Sequence, residues 1–156
     1  MKFLRRFSSR DIVATSSGGG HLAELRASLP NSATNRIVYI TSRNRHTYES
    51  LSSCKRYFIV DPHNSKFKYL VNFFQAFFLF LILRPRLIIS TGAGISIPFM
   101  MIGKFFGSKV VFIETGARIY STSKTGKFMY QYADRFFVQY ETLLEKYPKA
   151  TLGSLR

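Results

Sequence analysis

The segment Asp11-Ile-Val-Ala-Thr-Ser-Ser-Gly-Gly-Gly-His-Leu-Ala-Glu-Leu25 passes from a short apolar run, through three glycines and a histidine, into a helical pattern. This order predicts a strand, a tight turn and the start of a helix. Gly18, Gly19 and Gly20 permit positive φ angles and allow a ligand to approach the backbone closely. Because the first N–H groups of a helix are unpaired and its N-terminus carries partial positive charge, the turn favours an anionic ligand.

The rest of the chain alternates between short runs rich in Val, Ile and Phe and helical patterns. Such alternation is typical of a parallel sheet covered by helices on both faces. The sequence therefore predicts one domain of 156 residues with an α/β, Rossmann-like doubly wound, mostly parallel sheet. The predicted strands are Ile12–Thr15, Arg36–Thr41, Tyr57–Val60, Leu87–Ser90, Lys109–Glu114 and Arg135–Gln139. The predicted helices are His21–Leu29, Phe67–Leu83, Ile95–Phe106, Thr125–Ala133 and Glu141–Lys146, and Ser42–Ser53 is expected to be irregular.

The composition narrows the range of partners. Lys and Arg number 23 against 8 Asp and Glu, so the formal charge of +15 attracts nucleic acid, an anionic bilayer or phosphorylated substrates. Sixteen Phe and nine Tyr, many of them in one stretch, favour a membrane surface over nucleic acid. The lone Cys54 excludes an intrachain disulfide and fits a reducing compartment. The basic leader Met1–Phe7 is followed by no apolar region, so it is not a secretory signal but can lie on a bilayer.

An apolar run lies within residues 66–83 and is interrupted from Val71 to Leu83 only by Asn72 and Gln75. Because a bilayer crossing takes roughly 20 apolar residues, we expect this helix to lie in the membrane interface, with basic residues at both ends on lipid headgroups. The alternative is that this segment is a crossover helix buried against the sheet. A helix with one face in the core and another face in lipid would agree with both interpretations. The expected membrane contacts are Phe73, Phe74, Phe77, Phe78 and Phe80.

Two glycine-bearing turns are expected to meet at one edge of the sheet. In a doubly wound sheet the strands ending at Thr15 and Ser90 are central neighbours, and ligands bind beyond their carboxyl ends. The second strand leads into Thr91-Gly-Ala-Gly-Ile-Ser-Ile-Pro98, and the following strand brings Glu114 to the same edge. The candidate ligand-binding residues are Ser17, Gly18, Gly19, Gly20, Thr91, Gly92, Gly94, Arg118 and Ser123. A purely structural turn or a solvated loop is the alternative for each of them.

The spacing of these motifs disfavours the common nucleotide-binding loops. Gly18-Gly-Gly-His21 is not Gly-x-Gly-x-x-Gly, no acidic residue closes the second strand, and the lysine of a Walker motif is missing. We therefore expect no dinucleotide and no other cofactor. His46 and His63 have no partners at a spacing typical of metal ligands, so no metal is expected either.

His21 and Glu114 are the candidate catalytic residues. His21 falls in the first turn of the predicted helix, where the helix dipole opposes the imidazolium and keeps a neutral base available. Glu114 is a rival or helper base, or a ligand for a sugar hydroxyl. The structural alternatives are a histidine that caps the turn and a glutamate that pairs with Arg118.

Several motifs in order resemble a known family. They are Ser16-Ser-Gly-Gly-Gly-His-Leu-Ala-Glu-Leu25, Ser90-Thr-Gly-Ala-Gly-Ile-Ser-Ile-Pro98, Phe112-Ile-Glu-Thr-Gly-Ala-Arg118, Ser123-Lys-Thr-Gly-Lys127 and Ala133-Asp-Arg-Phe-Phe-Val-Gln139. The chain resembles the membrane-anchoring subunit of the split UDP-GlcNAc transferase of dolichol-linked oligosaccharide synthesis, together with its bacterial capsule and exopolysaccharide relatives. The resemblance runs from about Asp11 to Gly153 and is closest to the bacterial members.

The resemblance implies the N-terminal half of a type-B glycosyltransferase, similar to the acceptor half of the lipid-linked GlcNAc transferase of peptidoglycan synthesis. It implies a chain that binds a polyprenyl-pyrophosphate-linked sugar at the cytoplasmic membrane face and recruits a donor-binding subunit, with the nucleotide sugar between the two chains. By this analogy His21 deprotonates the acceptor hydroxyl, with Glu114 as rival or helper, in a metal-independent inverting transfer.

The two ends of the chain bear on this resemblance. Because the sequence ends at Arg156, where a one-chain transferase continues, we expect a separate partner. Because only Met1–Phe7 precedes the core, we expect membrane attachment to rest on Phe67–Leu83 and on this basic leader. Two alternatives stay open at this point. One is a non-catalytic membrane scaffold that activates a fully catalytic partner, and the other is a basic nucleic-acid-binding domain, although we expect no nucleic acid.

Overall fold

The computed structural model describes residues 12–30, 36–63 and 65–153, and the leader Met1–Phe7 lies outside these ranges. Its seven parallel strands form one sheet in the order β3-β2-β1-β4-β5-β6-β7. The order runs outward from the centre in both directions, which is the doubly wound arrangement predicted from the sequence. The strands are β1 (Ile12–Ser16), β2 (Ile37–Ser42), β3 (Lys55–Ile59), β4 (Leu87–Gly92), β5 (Lys109–Ile113), β6 (Arg135–Val138) and β7 (Thr151–Leu152).

The secondary structure differs from the sequence prediction at three main places, two of them helical and one the strand β7. The stretch Ser42–Ser53, expected to be irregular, contains a helix because Asn44 and Thr47 form a capping box, in which each side chain accepts a hydrogen bond from the other residue's backbone N–H. Glu141–Lys146 makes only a 3-10 turn at Glu141–Leu143, and β7 was too short for a periodic signal. The helices are α1 (Gly20–Ala27), α2 (Arg45–Ser50), α3 (Lys66–Leu83), α4 (Ile97–Phe105, after a 3-10 turn at Gly94–Ser96) and α5 (Lys124–Met129).

The core lies on both faces of the sheet. Successive side chains of a strand point to opposite faces, and β1 divides accordingly. Val13 packs with Ala76 of α3 and the residues around α4, whereas Ile12 and Ala14 pack with Leu25 of α1 on the other face. The sheet is therefore covered on both sides, which explains why its central strands β1 and β4 are apolar except at their carboxyl ends.

Helix α3 faces both the core and the solvent. Its 18 residues rise about 27 Å, and by length and composition alone it is long and apolar enough to cross a membrane. Only Asn72, Ala76 and Phe80 are buried, and the opposite side of the helix is exposed. The expected membrane contact at Phe80 is wrong, because this ring is 5% exposed and stacks on Phe106. The partly buried Phe77 also packs against the core.

Candidate active site

The two glycine turns start from neighbouring strands, as predicted. Thr15 of β1 pairs with Ser90 of β4, and after an irregularity Ser16 pairs with Gly92. Both turns therefore leave the same edge of the sheet, at the point where the strand order reverses. Such a position in a doubly wound sheet is where ligands bind.

Gly18 and Gly19 of the first turn are glycine for different reasons. Gly19 precedes α1 with a φ of 75°, a conformation that side chains disfavour. A Cβ on Gly18 would lie 2.5 Å from Asn44 Nδ2, so this residue lets the turn pack against α2. A Cβ on Gly19 or Gly20 would meet no atom of residues 12–30, 36–63 or 65–153 within 4 Å, and both glycines are exposed. The backbone of these two residues is thus the part of the turn that a ligand can reach.

His21 is held by Thr91 through two hydrogen bonds. Its Nδ1 lies 3.0 Å from the Thr91 carbonyl oxygen, while Thr91 Oγ1 donates to the His21 carbonyl at 2.7 Å. Because a carbonyl oxygen only accepts, Nδ1 carries the proton, and in the neutral ring the lone pair is on Nε2. The His21 side chain is 32% exposed. The arrangement gives an oriented and accessible proton acceptor beside the glycine turn.

Glu24, on α1, joins this turn to the loop after β5, and the sequence analysis missed it. Its Oε1 accepts hydrogen bonds from Gly116 N at 2.9 Å and Thr115 Oγ1 at 3.2 Å. Its Oε2 is buried, has no hydrogen-bond partner among the residues that the structure describes, and lies 4.0 Å from His21 Nδ1. The signal in the sequence is the spacing of three residues from His21, which places both side chains on one face of the helix.

Glu114 is enclosed by the protein. It is 1% exposed, and its carboxylate accepts from Thr115 N, Ser123 N and Tyr147 Oη at 3.0 to 3.3 Å. A Cβ on Gly126 would overlap this carboxylate. Burial and the nearby Glu114 carboxylate raise the pKa of Tyr147, which keeps the phenol protonated as a donor. Glu114 thus organises the loop after β5, and it does not form the alternative pair with Arg118.

The remaining candidate residues fall into three groups. Thr91 and Gly92 are buried, and the contacts of Thr91 are with His21, so it positions that ring. Arg118 is exposed and donates to Ser121 Oγ at 3.2 Å, and Ser123 Oγ caps α5 by accepting from Gly126 N. Ser17 and Gly94 are half-buried at the starts of their turns.

The structure therefore brings His21 and Glu24 together with the turns after β4 and β5. Arg118 and Ser123 lie farther along the loop after β5, in contacts of their own. Within the described ranges, no three His, Cys, Asp or Glu side chains are grouped closely enough to hold a metal ion.

Solved structures with this fold include two enzymes of larger size. MurG of Acinetobacter baumannii superposes with a TM-score of 0.69 at 15% identity, over 84% of this chain and 42% of that chain. A UDP-N-acetylglucosamine 2-epimerase from Rickettsia bellii gives 0.67 at 13% identity, over 92% of this chain and 42% of the epimerase. At these identities the likeness is one of fold, and it confirms the predicted Rossmann-like architecture.

Curated relatives are similar over a shorter segment. The UDP-N-acetylglucosamine transferase subunit alg14 of Schizosaccharomyces pombe is 37% identical over 71 residues, which are 42% of this chain and 34% of that protein. The human subunit ALG14 is 30% identical over 73 residues, which are 43% of this chain and 34% of that protein. The matched segments thus span about a third of the length of these relatives.

A family model described as oligosaccharide biosynthesis protein Alg14 like matches residues 56–155. The match begins within β3 and includes the turn after β4, the loop after β5 and the apolar helix α3, whereas the glycine turn with His21 precedes it. Since the model matches more than half of the chain, the protein belongs to the Alg14-like family of oligosaccharide biosynthesis proteins.

Proposed function

We propose that the chain is the acceptor-binding subunit of a two-chain glycosyltransferase that extends a polyprenyl-pyrophosphate-linked saccharide. A separate donor-binding subunit supplies most of the nucleotide-sugar site, which lies between the two chains. The observation that carries the proposal is His21, oriented by Thr91 at the switch point of the sheet in a member of this family. The printed names of the curated relatives, all UDP-N-acetylglucosamine transferase subunits, support UDP-GlcNAc as the donor.

The proposed reaction uses His21 as general base. Nε2 takes the proton of an acceptor sugar hydroxyl while the hydroxyl oxygen attacks the anomeric carbon of the donor from the side opposite the leaving group. The bond from that carbon to the UDP oxygen breaks, its electron pair leaves with UDP, and the anomeric configuration inverts. The path is metal-independent. Glu24, at 4.0 Å from Nδ1, stabilises the imidazolium that forms, and Glu114 shapes the loop that closes the site.

The proposed acceptor site accommodates the two chemical parts of the acceptor, the charged pyrophosphate and the apolar lipid. The exposed backbone at Gly19 and Gly20 and the side chain of Arg118 bind the pyrophosphate. The exposed Phe73, Phe74 and Phe78 rest on an anionic membrane surface, which we place at the cytoplasmic face of the cell membrane. Resemblance to the bacterial members supports capsule or exopolysaccharide biosynthesis as the setting.

Single substitutions separate this proposal from the scaffold alternative. His21→Ala is expected to reduce sugar transfer by the reconstituted pair of subunits by about a hundredfold or more, because the reaction loses its base. Glu114→Ala is expected to reduce transfer indirectly, with a loss of stability. His46→Ala, on the exposed side of α2, is the matched control and retains activity. If the complex stays intact and transfer survives His21→Ala, the chain is a scaffold and the catalytic proposal fails.

A further inference from the structure

An apolar groove runs between α3 and the edge strand β3. Among the strands that the structure describes, β3 pairs only with β2, so it forms one edge of the sheet. The groove holds about 460 Å³. Its main lining residues are Tyr57, Phe58 and Ile59 from the strand and Phe74, Phe78 and Ile82 from the helix.

The groove is continuous with a cleft at the carboxyl edge of the sheet. This second cleft, of about 410 Å³, shares Phe58, Ile59 and Gln75 with the groove. Its polar boundary is formed by Ser42 and Arg43 on one side and by the carboxylate of Asp61, next to Val60, on the other. Ser42 Oγ accepts a hydrogen bond from Gly18 N at 3.3 Å. The second cleft, at the end of the groove, is therefore in direct contact with the glycine turn. An apolar channel thus begins where the anion-binding turn ends.

We propose that this groove holds the first isoprene units of the acceptor's polyprenyl chain, with Arg43 on its pyrophosphate. The inference rests on the proposed function and adds the path of the lipid. The exposed Arg43 side chain makes no salt bridge with any residue in the described ranges, so it is available to an anion. The last three residues of β3, Tyr57–Ile59, extend about 10 Å and give an extended chain an apolar wall from the headgroup toward the bilayer.

The groove is distinct from the rest of the exposed face of α3. Phe74, Phe78 and Ile82 face β3, whereas Phe73 and Leu81 are exposed but do not line the groove. A bilayer lying against the helix contacts both sides. A bound polyprenyl chain contacts only the side toward β3, and this difference allows the two contacts to be tested separately.

The test uses farnesyl diphosphate carrying a benzophenone on its terminal isoprene, added to the full-length chain without membranes. We expect photocrosslinks on β3 and on Phe74, Phe78 or Ile82, competed by farnesyl diphosphate far better than by inorganic pyrophosphate. Crosslinks on Phe73 or Leu81, or scattered over the surface, would overturn the proposal. Equal competition by a short-chain phospholipid would also overturn it, because the groove would then hold acyl chains.

A matched pair of variants gives a second readout. Phe78→Ala is expected to weaken farnesyl diphosphate binding about tenfold, whereas Phe73→Ala, equally aromatic and on the same helix, changes it less than twofold. Circular dichroism checks that both variants fold, and an equal effect of the two would contradict the groove. If crosslinks map to the groove but the wild-type pair transfers no sugar, the proposed function fails and the lipid site stands. If transfer is intact and the crosslinks lie elsewhere, only the groove fails.

Discussion

At the scale of single residues, the site depends on how His21 is held. The sequence predicts His21 from its place after three glycines, but the pattern contains nothing that shows which ring nitrogen is free. Thr91 determines this through its carbonyl oxygen, which lies 3.0 Å from Nδ1. Because this backbone atom is seventy residues away in the chain, no local motif can indicate the contact. Because the sequence motif does not show this contact, Thr91 was predicted to bind the ligand. In the structure Thr91 is buried and contacts His21.

Glu24 provides a test of charge beside the base. Glu24→Gln keeps an oxygen that can accept from Gly116 N and Thr115 Oγ1, but it removes the negative charge 4.0 Å from His21 Nδ1. We expect kcat for sugar transfer to fall about tenfold, because the imidazolium is less stabilised, while thermal unfolding is little changed. Glu49→Gln, on the exposed surface of α2, is the control. An unchanged kcat in Glu24→Gln would show that the carboxylate has only a structural role.

Gly126 tests the packing around Glu114. A Cβ at this position overlaps the buried Glu114 carboxylate, so Gly126→Ala is expected to destabilise the fold by about 2 kcal/mol or more. Gly20→Ala adds the same atom in open space and is expected to change stability by less than about 0.5 kcal/mol. Urea denaturation of both variants measures the difference. Equal stability of the two would mean that the loop after β5 adjusts freely around the carboxylate.

At the scale of elements, α3 shows what a hydrophobic run can and cannot predict. Its existence and bounds follow from composition, but the identity of its core face does not. That face is marked by the polar interruptions, because Asn72 Nδ2 donates to the Val60 carbonyl at 2.7 Å and Gln75 Oε1 accepts from Val60 N at 2.8 Å. Both residues tie the helix to the end of β3, which places Phe80 in the core and Phe78 outside.

Membrane binding should therefore depend on the exposed side of α3 alone. Phe73→Asp combined with Phe74→Asp is expected to weaken sedimentation with anionic liposomes by at least about tenfold at unchanged stability, because two rings leave the interface. Asn72→Leu, the buried control, is expected to lose about 1–3 kcal/mol of stability, since the Val60 carbonyl loses its donor, and to keep its liposome binding. Liposome binding that withstands the double substitution would place the membrane contact elsewhere.

The other strands and helices could be predicted where the sequence has a clear hydrophobic pattern and were missed where it has none. The buried strands were predicted to within about two residues, because continuous runs such as Ile12–Ser16 leave little choice. Helix α2 depends on a capping box at Asn44 and Thr47, a local polar signal inside a segment that otherwise resembles a loop. The two residues of β7 acquire strand structure only by pairing with β6, so no local pattern could indicate them.

At the scale of the whole molecule, a strongly basic chain combines a glycine turn at the edge of the sheet, a helix with one exposed apolar side and a candidate site around His21. In the proposed function, the formal charge of +15 draws the protein to an anionic membrane, and the exposed side of α3 faces that membrane. The fold can be predicted from the strand pattern. The contacts of Thr91 and Glu24 that join the three loops could not be predicted, because they connect residues far apart in the sequence. Family membership rests on β3 to β7, and the catalytic assignment rests on the turn before them.

The most direct test of the central claim is sugar transfer in membranes of the protein's own host from which the chain has been deleted. These membranes, supplied with radiolabelled UDP-GlcNAc, are expected to lose incorporation of label into organic-extractable lipid. Adding the purified wild-type chain should restore incorporation, and adding His21→Ala should not. Unchanged incorporation without the chain, or full restoration by His21→Ala, would contradict the account.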